Sequence, residues 1–182
     1  MPTFYTRTGD DGSTGLLGEG RVAKFHPIPE AVGALDEATA ALGLARSACR
    51  ASVSAPLLLA VQRDLYHLMA EISATPENAA RFRKIEAERV AWLEEQIEAI
   101  SALIEMPGEF IVPGDTPASA ALSLARTIVR RAERRVVWLA HEGMVENPEL
   151  QRYLNRLSSL CFVLELLENQ AAGLDKPTLA KD

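Results

Sequence analysis

Residues 116–141 read TPASAALSLARTIVRRAERRVVWLAH. Ala118, Ala121, Leu122, Ala125, Ile128, Val129, Ala132, Val136 and Leu139 recur at i, i+3, i+4 and i+7, the spacing of an amphipathic helix with one face in a core. Thr116 or Asp115 is placed to cap its start, and Pro117 suits the first turn, where a missing amide costs nothing. The other face carries Arg126, Arg130 and Arg134 at four-residue intervals, flanked by Arg131 and Arg135. Five arginines against Glu133 leave +4 in residues 126–135, so the rest of a −6 chain carries −10. Like charges at i, i+4 repel. Such a face calls for carboxylates from elsewhere or for a polyanionic ligand; the plain alternative is a solvated charged surface.

The 182 residues are expected to form one domain with a substantial core. Apolar residues make up 48% and charged residues 24%, with Ala and Leu abundant, which favours helix. A net charge of −6 argues against a general nucleic-acid or membrane-surface binder. Cys49 and Cys161 show no metal spacing and no CxxC, so buried thiols in a reducing compartment are expected. No apolar run reaches about 18 residues and no leader is visible. The expected location is the cytoplasm.

Residues 1–27 read as non-helical. Five of the eleven glycines (Gly9, Gly12, Gly15, Gly18, Gly20) are interleaved there with Thr6, Thr8, Asp10, Asp11, Ser13 and Thr14. Glycine at this density lets a ligand approach the backbone, and amides and hydroxyls suit phosphate oxygens. Arg7, Arg21 and Lys24 add positive charge. Neither GxxxxGK[ST] nor GxGxxG occurs, so no standard nucleotide loop is present. Phe4, Tyr5, Leu16, Leu17 and Val22 offer apolar groups to pin the segment, against the alternative of a flexible tail.

Periodicity then gives helices over about 30–50, 56–74, 82–105, 116–141 and 148–170, with a loop at 75–80. Asn147 is the expected cap of the last helix. Phe110–Val112 forms a short apolar connector closed by Pro113 and Gly114. Residues 173–182 are expected to fray. The architecture is an all-α five-helix bundle, residues 28–172, behind an ordered glycine-rich segment, residues 1–27.

Five stretches in register carry a resemblance: YTRTGDDGSTGLLGEGRVAK, the LDE of Leu35–Glu37, the FIVPG of Phe110–Gly114, ARTIVRRAERRVV and YLNRLS. Together they resemble the PduO-type ATP:cob(I)alamin adenosyltransferases over nearly the whole chain. The resemblance implies a homotrimer with sites between neighbouring subunits. It implies transfer of the 5′-deoxyadenosyl group of ATP to the cobalt of cob(I)alamin, with Mg2+ on the phosphates. Thr6, Arg7, Thr8, Gly9, Asp10, Gly12, Ser13, Thr14, Gly15 and Lys24 would wrap the triphosphate. Arg130 and Asn155 would contact ATP, with Glu133 and Arg134 completing that wall. Asp36 would pair with Arg126 across the interface, and Phe110 would pack under the corrin ring. A flavin reductase and an adenosylcobalamin-dependent enzyme are the macromolecular partners implied; nucleic acid and membrane are not. The chain departs from the family pattern at Ser159, where NRLSD expects Asp, and at Asp115, where PGG expects Gly.

The chemistry suits these residues. Cobalt(I) is itself a strong nucleophile, and no Ser/His/Asp or Cys/His set is visible. The protein has to position C5′ and stabilise a departing triphosphate. Taken without the resemblance, Phe110 reads as core packing. Two other functions are set beside the enzyme: an ATP- or adenosylcobalamin-binding carrier or sensor, for which Ser159 speaks, and a structural bundle whose arginines bridge subunits.

Overall fold

The computed structural model describes Tyr5 and residues 7–181. Phe4 and Thr6, both singled out in the sequence, lie outside the described residues. Among the described residues six helices and a small sheet appear: β1 (Ser13–Gly15), β2 (Arg21–Ala23), α1 (Pro27–Ala48), α2 (Ser54–Ser73), α3 (Pro76–Phe82), α4 (Ala87–Ser101), α5 (Pro117–His141) and α6 (Glu149–Ala171).

The arginine-bearing helix is α5. Thr116 caps it through a reciprocal box: its hydroxyl accepts from the Ser119 amide at 3.1 Å, and its own amide donates to Ser119 Oγ at 3.0 Å. Two orphan amides of the first turn are thereby satisfied. Its apolar face, Leu122, Ala125, Val129, Ala132, Val136 and Leu139, is essentially fully buried. It packs between α1 and α6; α4 lies on the other side of α6, and α2 packs on α1. Glu37 meets Arg131 and Glu30 meets Arg135, so α1 and α5 run antiparallel. The α6 face of Leu150, Tyr153, Leu154, Leu157, Leu160, Cys161 and Leu164 fills the centre.

Three local expectations are corrected. Residues 75–80 are not a plain loop: Thr75 precedes a seven-residue helix with Pro76 in its first turn, so the count is six helices rather than five, and the next helix starts at Ala87 instead of 82. The glycine-rich segment contains an antiparallel hairpin, Ser13 opposite Ala23 and Gly15 opposite Arg21, so the chain is not purely helical. Residues 178–180 of the tail are paired: Ile111 and Leu179 form an antiparallel bridge.

The hairpin is fastened to the bundle through Leu17. Leu17 N–H donates to Ser73 O at 2.8 Å and Leu17 O accepts from Thr75 N–H at 3.2 Å. Gly18 beside it has φ +146°, and a Cβ there would stand 2.3 Å from Thr75 Oγ1. Only glycine permits that approach.

Buried polar groups tie the ends of the bundle. Glu168, fully buried, accepts from the Arg50 and Ala51 amides at 2.7 and 3.2 Å and closes the α1–α2 turn. Asn147 caps α6 by accepting from Glu149 N–H at 3.0 Å, and its amide donates to Glu71 and to Ile85 O. Cys49 and Cys161 are free thiols; burial pushes both up to about 12, so neither offers a thiolate at neutral pH.

Candidate functional site

The five arginines of α5 divide into two sets. Arg131 and Arg135 point to α1, where Glu37 and Glu30 neutralise them, the latter at 3.2 Å. Arg130 and Arg134 are exposed and have no ion pair or hydrogen bond among the described residues. Arg126 is half-buried, and its Nε is enclosed without a hydrogen-bond partner among the described residues. The compensation demanded by the sequence is therefore present for one set and, among the described residues, missing for Arg130 and Arg134, while Arg126 has only the buried Glu165 near it.

That stripe borders a furrow between α5 and α6. At one end Asn155 Nδ2 donates to Glu133 Oε1 at 3.0 Å. Arg156 donates to Asn155 Oδ1 at 2.8 Å and, through Nε, to Glu94 at 2.6 Å. Asn155 is thereby oriented from two sides while remaining exposed. Next, Arg126, Arg130, Ser158, Ser159 and Phe162 line a recess of about 340 Å³ with Ile97 and Met106. Arg126 and Phe162 are shared with a larger cavity of about 650 Å³, which Phe110, Ile111, Pro107, Gly108, Ala180 and Lys181 complete. The furrow thus passes from a polar end, through cationic walls, into an apolar basin.

Phe110 is 87% exposed. That rules out core packing as its role: a large aromatic held in the open at a basin's rim has been left for something else to cover. Beside Arg126, in the interior between α5 and α6, lies an unusual acid. Glu165 is 2% exposed; burial pushes its carboxyl up to about 7, against the opposing pull of Arg126 and a Ser123 hydrogen bond.

The glycine-rich segment makes a separate unit. Arg21 binds the Thr8 carbonyl at 2.5 Å and Ser13 Oγ at 2.7 Å, and Ser13 Oγ donates to Asp11 at 2.8 Å. The Ser13 hydroxyl and Arg21 are thus engaged inside the hairpin, and Asp11 is held below its usual range by the Ser13 amide and hydroxyl. Lys24 lies over Gly9, its Nζ 3.0 Å from where a Cβ would be. Lys24 N–H donates to Gly12 O at 2.9 Å. Arg7 adopts φ 62° and stacks its guanidinium 5.5 Å from the Tyr5 ring centroid. Asp10 is exposed; Thr14 and Gly15 belong to β1. No hydrogen bond or ion pair among the described residues joins Gly9, Gly12 or Lys24 to Arg130, Asn155 or Phe110. Likewise Asp36 is exposed on α1 and is not joined to Arg126 within the chain.

Sequence reasoning missed Phe162 and the tail. Phe162 had a signal: Asn155, Ser159 and Phe162 fall at i, i+4 and i+7, one line along α6. The tail had none, because its partners lie more than sixty residues away.

The sequence profile of the family described as cobalamin adenosyltransferase matches residues 4–168. The chain belongs to the cobalamin adenosyltransferase family. Among curated members, it is 42% identical over 170 residues to the corrinoid adenosyltransferase PduO of Salmonella typhimurium, covering 93% of this chain and 50% of that one. The chain therefore spans about half the length of that relative. It is 36% identical over 175 residues to the corrinoid adenosyltransferase of Bacillus subtilis, covering 94% of this chain and 89% of that one. In three dimensions it resembles a variant PduO-type ATP:corrinoid adenosyltransferase from Lactobacillus reuteri complexed with cobalamin and ATP. The TM-score is 0.89 at 29% identity, over 99% of this chain and 100% of that one. A second variant of that family member, complexed with ATP, aligns with a TM-score of 0.89 at 28% identity over 98% of this chain and 100% of that one. Among the described residues no helix is long and apolar enough to cross a membrane.

Proposed function

We propose that this chain transfers the 5′-deoxyadenosyl group of ATP to the cobalt of cob(I)alamin. The observation that carries the reading is the furrow itself: arginines without carboxylate partners stand directly beside an apolar basin with an exposed phenylalanine. An anionic leaving group and a flat, largely apolar macrocycle would lie next to one another, as an in-line displacement requires.

In the step itself, the cobalt(I) electron pair forms the Co–C5′ bond while the C5′–O bond breaks and its pair leaves with triphosphate. Cobalt becomes formally Co(III), and no proton is transferred. Arg130 and Arg134 stabilise the charge gathering on the leaving oxygens, from a rigid helix where they need little reorganisation. Asn155, aimed by Glu133 and Arg156, orients the nucleotide. The Gly9–Gly15 turn and Lys24 enclose the phosphates. Phe110 covers the lower face of the corrin and keeps out water and an axial ligand, which makes the preceding reduction to Co(I) easier. Among the described residues no cluster of three or more His, Cys, Asp or Glu side chains could hold a metal. Mg2+ would be held chiefly by the phosphate oxygens, its preferred hard donors.

Among the described residues the glycine-rich hairpin and the furrow are not bonded together within one chain, Arg126 Nε lacks a hydrogen-bond partner, and Asp36 is exposed. All three favour a homotrimer whose sites combine the hairpin of one subunit with the α5–α6 furrow of the next, closed by an Asp36–Arg126 pair. A flavin reductase and an adenosylcobalamin-dependent enzyme would be its partners before and after, in the cytoplasm.

One feature favours a second reading, a non-catalytic carrier or sensor of ATP or adenosylcobalamin. Ser159 shares the recess with Arg130 and offers a hydroxyl where a carboxylate would steady the guanidinium. Mixing the protein with Mg-ATP and chemically reduced cobalamin, while following the corrin absorption, separates the two. Conversion to the alkylcobalamin spectrum at many turnovers per site is the expected result. Binding without turnover would establish the carrier, and neither would remove both.

A further inference from the structure

The connector that carries Phe110 has little of its own to hold it. It is bounded by Pro107–Gly108 and Pro113–Gly114, Val112 is exposed and Ile111 only half-buried. Gly114 takes φ +125°, which turns the chain away from the bundle before α5 begins. What fixes the connector is the C-terminal tail. Val112 N–H donates to Thr178 O and Ala180 N–H donates to Phe110 O, each at 2.8 Å. Two such bonds in water make a weak ladder; isolated strand pairs are marginal even when longer.

A side-chain grip reinforces them. Asp115 Oδ2 accepts from the Thr178 amide at 3.0 Å, and Asp115 Oδ1 accepts from the Thr178 hydroxyl at 2.7 Å. Both carboxylate oxygens are used on one residue, and the bonds are charge-assisted. Asp115 precedes the capping Thr116, so it is anchored to the fixed end of α5. Rigidity therefore passes from the helix to Asp115, to Thr178, and along the tail to Phe110. The same tail places Ala180 and Lys181 on the wall of the cavity opposite Arg126.

We propose that Asp115 is a positioning residue for the corrinoid: by holding Thr178 it makes the tail a wall of the basin and sets the height of Phe110. The inference rests on reading the basin as the corrinoid site. The residues assigned to ATP, Arg130, Arg134 and Asn155, have no bond to the connector or the tail among the described residues, so loss of the grip is expected to act on one substrate and not on the other.

The test uses the full chain with Asp115→Asn, which keeps the shape but removes the charge and makes one of the two acceptor oxygens an amide donor, and Thr178→Val, which replaces the hydroxyl with a methyl group. Apparent KM values for reduced cobalamin and for ATP are measured, with hydrogen exchange at the Val112 and Ala180 amides. Each variant is expected to raise the corrinoid KM about tenfold, equivalent to about 1.4 kcal/mol, with the ATP KM within about twofold and faster exchange at both amides. Thr178→Ser, which retains the hydroxyl, is expected to restore the corrinoid KM. An unchanged corrinoid KM, or equal rises in both KM values, would overturn the proposal. If the wild-type protein turns over no corrinoid, the activity reading fails, and exchange alone decides the grip. Faster exchange in Asp115→Asn would then support it, and equal rates would overturn it.

Discussion

Arg130→Ala should make this protein more stable and nearly inactive. Arg130 has Arg126 and Arg134 as like-charged neighbours at i−4 and i+4 and forms no ion pair among the described residues, because Glu133 at i+3 is engaged by Asn155. Each repulsion costs about 0.2–0.5 kcal/mol, so truncation relieves about 0.4–1 kcal/mol, slightly helped by the helix preference of alanine. For a chain of this size that is a rise in Tm of about 1–4 °C. Bound to triphosphate, the same guanidinium makes up to two charge-assisted hydrogen bonds at about 1.5–3 kcal/mol each. Their loss is worth about 3–6 kcal/mol, or roughly 10²–10⁴ in kcat/KM for ATP. The control is Arg131→Ala, one turn position away but paired to Glu37 across an exposed contact. It should lower stability by about 0–1 kcal/mol and leave turnover within about threefold. Thermal melts and steady-state kinetics at saturating cobalamin read both quantities. An Arg130→Ala protein that melts lower than wild type, or that retains kcat/KM within tenfold, would show that Arg130 is structural.

Three further outcomes are expected. Phe110→Ala should slow turnover that depends on cobalt reduction at least tenfold more than it weakens ATP binding, measured by titration calorimetry; equal losses would make the ring a general support. Asp36→Ala and Arg126→Ala should each impair assembly, seen by sedimentation, and the double variant should lose less than the sum of the two; strict additivity would mean that the pair does not exist. The pH dependence of stability should report Glu165. Its folded pKa of about 7 lies above the ordinary 4.5, so the folded state holds the proton more tightly. The stability linked to it is complete below about pH 4.5 and is lost as pH rises to about 7. Glu165→Gln should flatten that fall in Tm between pH 4.5 and 7, and a slope identical to wild type would place the titrating group elsewhere.

The helices were legible because their causes are local. The α5 stripe, its Thr116–Pro117 start and the α6 face from Leu150 to Leu167 depend on residues three and four apart, and the two faces are buried as the periodicity demanded, except that Ala121 is only half-buried. The arginine stripe was legible as an excess of charge requiring compensation. Its division was not. Whether a guanidinium meets Glu37 or stands open depends on the antiparallel placement of α1 against α5, which no short window contains. Residues 75–80 failed as a loop because Pro76 starts a helix too short to show a period.

What the sequence by itself determined is the set of amphipathic helices, the concentration of positive charge on one of them, and the glycine-rich stretch suited to a phosphate. Tertiary structure alone decided which arginines remain unpaired, that Phe110 stands outside the core, and that Asp115 turns to Thr178 rather than capping the helix it precedes. The reason is range. A periodic burial pattern is written in neighbouring residues, whereas the partner of a charge or of a lone backbone amide is fixed only when distant segments are packed side by side.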